Sequence, residues 1–141
     1  MNSAKKLRAK VLVAGTASGV ALVLSEPLSL WGGLNPETGE IIDRRHPQAG
    51  QIVSGQVLVL PSGRGSSSAS SILLEAVKQG TAPAAIITSE TDGILALGAA
   101  VAREMYDQSP PVLVLSSENY VQIQTGQSLQ ISQDGVIQIE P

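Results

Sequence analysis

The stretch VLVLPSGRGSSSASSILLEAVKQGTAPAAIITSETDGILALGAAVAREMYDQSPPVLVL, residues 57–115, decides the fold. It opens on four consecutive apolar residues, Val57–Leu60, which suit a strand buried on both faces. After a turn at Pro61–Gly65, a helix is expected from about Ser68 to Gln79. Ile72, Leu73, Ala76 and Val77 form its apolar stripe, and Gly80 stops it. Ala84–Thr88 reads as a second buried strand. A second helix is expected from Asp92, its N-cap, to Tyr106, with Ile94, Leu97, Val101 and Met105 on its apolar face. Gly98, Ala99 and Ala100 are small enough to let that helix approach a sheet closely. Pro111–Leu115 supplies the third strand. This strand–helix–strand–helix–strand order implies right-handed crossovers and a parallel core sheet.

Upstream, Lys10–Ala14 and Val20–Leu24 read as two strands around GTASG, a β-hairpin. The same region imitates a secretory leader, with Lys5–Lys10 preceding the apolar Val11–Leu24. Gly15, Thr16, Ser18 and Gly19 divide that run, however, and no small-residue cleavage pattern follows Leu24. No run reaches the roughly 18 apolar residues of a membrane span, so a cytoplasmic chain with no membrane contact is expected. Pro27–Gly50 is rich in Gly, Pro, Asn and Asp and reads as a long irregular segment, ordered around Trp31 and the Glu40–Asp43 piece. Downstream, the pairs Val121 and Ile123, Leu129 and Ile131, and Val136 and Ile139 alternate with Gln and Ser. Gly126 and Asp134-Gly135 mark turns, so an antiparallel meander is expected to join the N-terminal hairpin as a second β layer. The expected fold is a single α/β domain over residues 1–141: a parallel core sheet with helices plus an antiparallel β layer. Residues 1–9 are read as a flexible basic lead or as part of a subunit contact.

A chain of 141 residues buries about two thirds of its extended surface on folding, enough for a core without disulfides. Apolar residues make up 43% and charged ones 15%, which argues against disorder. Trp31, Tyr106 and Tyr120 are the only aromatics, too few for a base-stacking platform. The net charge is −3, and Lys5, Lys6, Arg8 and Lys10 supply four of the nine cations. The rest of the chain is strongly acidic, so nucleic acid is not an expected partner. There is no cysteine, and His46 is the only histidine. No thiol nucleophile, iron–sulfur ligand set, zinc–thiolate site or His-rich metal site can come from this chain alone.

The segment richest in chemistry is PSGRGSSSASS, Pro61–Ser71. Gly63 and Gly65 let the backbone approach a ligand closely. The serines stand where the amides of a helix N-terminus point outward, favouring an anion, and Arg64 can grip a carboxylate or phosphate at two points. A plainer alternative is that Ser66–Ser68 cap the helix and the glycines make the turn. No lysine follows the glycines as in a phosphate loop, and neither G-x-S-x-G nor S-x-x-K fits. Asp43, Arg44, Arg45 and His46 form a second polar cluster, otherwise a solvated turn. Asn35-Pro36 with Gly39 suits turn chemistry. Glu90–Gly93 lies at the carboxyl edge of a parallel strand, where α/β sheets bind ligands, or is an ordinary helix cap.

Taken together, GTASGVALVLSEPLSLWGGLNPETGEIID, RRHPQAG, PSGRGSSSASS, GTAPAAII and ILALGA resemble the aconitase X swivel domain, in family order from Gly15 to about Leu115. The resemblance implies a swiveling β/β/α fold. It also implies the small subunit of a heterodimeric hydro-lyase, which removes a proton α to a carboxylate and a β-hydroxyl from a small anionic substrate. Two substrates are associated with the family: cis-3-hydroxy-L-proline, to which RRHPQ and APAAII incline, and mevalonate 5-phosphate. No cofactor is expected on this chain. An iron–sulfur or iron centre is implied on a cysteine-bearing large subunit, acting there as Lewis acid on the departing hydroxyl.

The resemblance places the general base on Ser66 and the substrate's anionic group near Arg64, Gly65 and Ser67. Gly33, Asn35, Asp43 and His46 are carried over as interface or site wall. A serine hydroxyl is about as weak an acid as water, so its pKa lies far above neutrality. Bringing it to about 8 would take on the order of 10 kcal/mol at about 1.36 kcal/mol per unit. A helix N-terminus contributes only about 0.3–2 kcal/mol. The serine is therefore expected to be inert until a large subunit closes over it. Two other readings remain: a swiveling domain that binds an anion or partner without chemistry, and a serine hydrolase, which lacks a convincing base.

Overall fold

The computed structural model describes residues 5–63 and 68–141. Its centre is a parallel run of three strands, β6 (Val57–Leu60), β7 (Ala85–Thr88) and β8 (Val112–Val114), joined on one side by β3 (Ala17–Val23). All four residues of β6 and of β7 are buried. Alternate side chains go to opposite faces. Leu58, Leu60, Ile86 and Val112 pack with Leu73 of helix α2 (Ser68–Gln79) and with Leu95 and Ala99 of helix α3 (Gly93–Tyr106). Val57, Val59, Ile87 and Leu113 face the other way, onto Leu129 of β9 (Ser128–Ile131) and Ile137 and Ile139 of β10 (Val136–Ile139). This is the expected β/β/α layering.

The N-terminal hairpin is not formed. Strand β2 (Lys10–Val13) pairs antiparallel with β8 at one edge of the sheet, while β3 sits centrally between β6 and β9. GTASG is thus a crossing rather than a tight turn. Burial decides the matter: β3 is the strand that changes layers, antiparallel to β9 over Ala17–Val20 and parallel to β6 over Ala21–Val23. A Cβ at Gly19 would lie 2.9 Å from the Gly55 carbonyl oxygen, so glycine permits the close passage at that bend. With β1 (Lys5–Arg8) at the other edge, the full order of the eight-stranded sheet is β1-β10-β9-β3-β6-β7-β8-β2.

The basic lead is corrected too, because Lys5–Arg8 is strand β1, paired with β10. Leu7 supplies the reason: it is buried against the back layer, while Lys5, Lys6 and Arg8 stay exposed. Lysines on an edge strand discourage pairing with other chains. Of the tail meander, β9 and β10 form as expected. Val121 and Ile123 do not make a strand; a short helical turn, α4 (Ser117–Tyr120), precedes them.

Helix α2 matches its expected span, and Gly80 ends it with φ 78°. Helix α3 has the expected Asp92 cap but presents a different face. Leu95, Gly98, Ala99 and Ala102 are buried, whereas Leu97 and Met105 are 53% and 60% exposed. The small residues are inside because the two helices nearly touch: a Cβ at Gly98 would stand 3.0 Å from the Ser70 carbonyl oxygen. Close backbone approach outweighs side-chain hydrophobicity here. The segment between β3 and β6 is ordered, as expected. Leu28, Leu30, Leu34, Ile41 and Val53 join the helix-side core, and β4 (Leu34–Asn35) pairs with β5 (Glu40–Ile41). No helix among the described residues is long and apolar enough to cross a membrane.

Two outcomes test this packing. Gly98→Val should separate α2 from α3 and cost about 1–3 kcal/mol as overpacking, seen as a lower urea midpoint. The Tyr120 hydroxyl is buried without a hydrogen-bond partner among the described residues, and burial pushes its pKa from 10.0 up to about 12. The folded state therefore holds this proton more tightly than the unfolded chain does. The resulting stabilisation is complete below pH 10 and disappears as pH rises towards 12. Urea midpoints at pH 9 and pH 11.5 should fall further apart for the native chain than for Tyr120→Phe.

Candidate functional site

The carboxyl ends of β3 and β6 lie side by side, and the chain leaving each builds the candidate site. After β6, Pro61–Gly63 leads towards Arg64, Gly65, Ser66 and Ser67, which lie outside the described residues. The turn before them is held from both flanks. Leu28 bridges Gly63 in parallel fashion, and its N–H donates to the Ser62 carbonyl at 3.4 Å. On the other flank, the Ser89 N–H and Oγ both donate to the Pro61 carbonyl at 3.2 Å.

Beside this turn is an open cleft of about 530 Å³, lined by Glu26, Pro27, Ser29, Trp31, Gly32, Gly33, Asp43, Arg45 and His46. One wall is the broken helical turn α1 (Leu30–Gly33), where Trp31 has ψ 116° and Gly32 φ 76°. Those angles leave Trp31, the only tryptophan, 63% exposed. Gly33 lies against Leu28: a Cβ there would be 3.0 Å from Leu28 Cδ1. The opposite wall is the 43–49 turn. Asp43 Oδ1 accepts the Arg45 N–H at 3.0 Å, and the Arg45 Nε lies 3.5 Å from the same oxygen. The backbone bond first, with the guanidinium charge added, holds the Asp43 carboxyl below the usual carboxylate range. Asp43 thus stays anionic at the cleft edge.

His46 is not a solvated residue; it is 6% exposed. Its Nδ1 accepts the Gln48 N–H at 3.0 Å, which leaves Nε2 to carry the proton and donate to the Glu26 carbonyl at 3.2 Å. These bonds select the neutral Nε2–H tautomer. Gln48 strengthens the clamp, since its Oε1 accepts from the Ser25 N–H at 3.1 Å and Oγ at 3.3 Å. His46 and Gln48 thereby tie the exit of β3 to the 43–49 turn and set the width of the cleft. With both ring nitrogens engaged, His46 is a poor candidate for a general base.

Of the residues expected at the site, Gly33, Asp43 and His46 meet around one cleft. Asn35 does not reach it: its Oδ1 accepts the Glu37 N–H at 2.9 Å, and its carbonyl accepts from Gly39 at 2.7 Å. That is the turn chemistry its sequence context suggests. Glu26, Ser29 and Gln48 were not legible beforehand, because nothing in their spacing marks a clamp between segments 20 residues apart. Among the described residues no three of His, Asp and Glu converge, and the chain has no cysteine. These residues do not fit an iron or iron–sulfur centre.

Comparison with known proteins decides the family. The family model described as Aconitase X swivel domain matches residues 6–139. The chain belongs to the aconitase X swivel domain family. A cis-3-hydroxy-L-proline dehydratase of Pseudomonas aeruginosa is 48% identical over 115 residues, covering 82% of this chain and 20% of that protein. This swivel domain thus spans about a fifth of the length of that relative. The phosphomevalonate dehydratase small subunit of Methanosarcina acetivorans is 33% identical over 135 residues, covering 95% of this chain and 90% of the other. In three dimensions, the swivel domain superposes on a chain of Thermococcus kodakaraensis aconitase X (holo-form) with a TM-score of 0.87 and 32% identity. That match covers 97% of this chain and 99% of the other.

The clamp is directly testable. His46→Ala removes two hydrogen bonds of about 1 kcal/mol each and leaves a cavity. A loss of roughly 2–3 kcal/mol is expected, lowering Tm by about 6–10 °C, with faster amide exchange at Gln48.

Proposed function

We propose that this chain is the small subunit of a heterodimeric dehydratase that acts in the cytoplasm on a small β-hydroxy carboxylate. An incomplete site carries this reading. The cleft is open, its one histidine has both nitrogens engaged, and the described residues facing it do not form a nucleophile–base pair. Trp31 projects from its lip, the kind of exposed aromatic that anchors protein–protein contacts. A large subunit laid over this face would bury the indole and exclude water from the Arg64–Ser67 segment.

In that assembly Ser66 is the base. The Cα–H bond of the substrate breaks and its proton passes to the Ser66 oxygen as that oxygen's own proton passes to the β-hydroxyl, which departs as water while the Cα electron pair forms the Cα–Cβ double bond. Arg64 with the Gly65 and Ser67 amides binds the substrate's anionic group, while Asp43 repels a wrongly placed carboxylate. Any iron or iron–sulfur centre, with the cysteines to hold it, belongs to the large subunit, and no step through it is assigned to this chain.

cis-3-Hydroxy-L-proline is the favoured substrate, supported by the 48% identity to a dehydratase of that name. Mevalonate 5-phosphate is the second reading, supported by the near end-to-end match to separate small subunits. Co-expression with the large subunit and assay of water loss from each substrate decides between them. The chain alone should turn over neither, and Ser66→Ala in the complex should lower kcat at least 10²-fold. Full activity of Ser66→Ala would overturn the base assignment. If the complex dehydrated neither compound yet bound an anion, a non-catalytic swiveling domain would be the better description.

A further inference from the structure

We propose that Asp92 is a positioning residue for the Arg64–Ser67 segment, acting through Gly63; this rests on the role given to Ser66 above. As the N-cap of α3, Asp92 needs only one oxygen. Its Oδ1 accepts the Ile94 N–H at 3.1 Å and the Leu95 N–H at 3.0 Å, which a serine or threonine hydroxyl would also satisfy. The second oxygen does something a hydroxyl cap cannot. Oδ2 accepts the Gly63 N–H at 2.7 Å, at the short end of the range for such bonds, as a charged acceptor favours.

Position 63 is shaped to this bond. A Cβ there would lie 2.7 Å from Asp92 Oδ2 and 3.5 Å from the Leu95 side chain. Glycine is the residue that lets the carboxylate reach the backbone. One side chain therefore joins the start of α3 to the residue immediately before Arg64. It fixes the point from which the Arg64–Ser67 segment extends, and small displacements of a reacting group lower rates steeply.

Asp92→Ser separates the two roles, because the hydroxyl keeps the helix cap and cannot also reach Gly63. In the isolated chain, α3 helicity should persist while the Gly63 amide proton shifts upfield and exchanges at least tenfold faster. In the complex with the large subunit, kcat should fall about 10–100-fold, a larger factor than that by which KM rises. Gly63→Ala displaces the carboxylate from the other side and should give the same kcat loss with the Ile94 and Leu95 amides still protected; it serves if Asp92→Ser does not fold. An unchanged Gly63 amide in Asp92→Ser would overturn the proposal. So would full kcat in Asp92→Ser and Gly63→Ala where Ser66→Ala is inactive. Should Ser66→Ala be fully active, the assignment of Ser66 fails instead, and the Gly63 amide still reports whether the Asp92 bond exists.

Discussion

Strands β6 and β7 are dry on both faces, and the rest of the molecule follows from that. Val57 and Val59 point one way and Leu58 and Leu60 the other, all at 2% exposure or less. Each face needs an apolar cover, since exposing such side chains forfeits about 1.5–3 kcal/mol apiece. Helices α2 and α3 cover one face in the ordinary crossover manner. The other face has no helix available, so the chain draws its cover from both ends: β1 from the beginning, β9 and β10 from the end. Strand β3 joins the layers because it pairs with β6 and β9 at once.

This explains what the sequence could and could not disclose. Val57–Leu60, the Ser68–Gln79 helix and the Asp92 cap were legible, because continuous apolar runs, helical spacing and capping chemistry are local signals. The N-terminal hairpin was not, because GTASG looks like a turn while the partners of β3 lie about 36 and 110 residues away. Nothing local reports that competition. The face of α3 was misread for a related reason. Leu97 and Met105 are more apolar than Gly98 and Ala102, yet only the small residues fit where α2 passes. Hydrophobicity ranks residues by water; packing ranks them by shape.

The site shows the same division. Of Gly33, Asn35, Asp43 and His46, which the family resemblance marked as interface or site wall, three line one cleft and Asn35 does not. Their tasks needed coordinates. His46 was expected only as interface or site wall but serves as a clamp, and Asp92 looked like a cap but also grips Gly63. In both cases a polar side chain joins segments far apart in sequence, through backbone groups that any residue carries. Such bonds leave no trace in composition or spacing.

Strand β1 pairs with β10, and the register sets Lys5 opposite Ile139. The first and last strands therefore meet in the back layer, on the face of the core sheet opposite the helices. A linker joined to either end sets out from nearly the same place. The domain is thus well suited both to stand as a separate chain and to be tethered within a longer one without rebuilding its core. Tethering would change its economy of encounter: a partner on the same polypeptide is present at an effective concentration on the order of millimolar. A separate chain must find a partner by surface affinity alone.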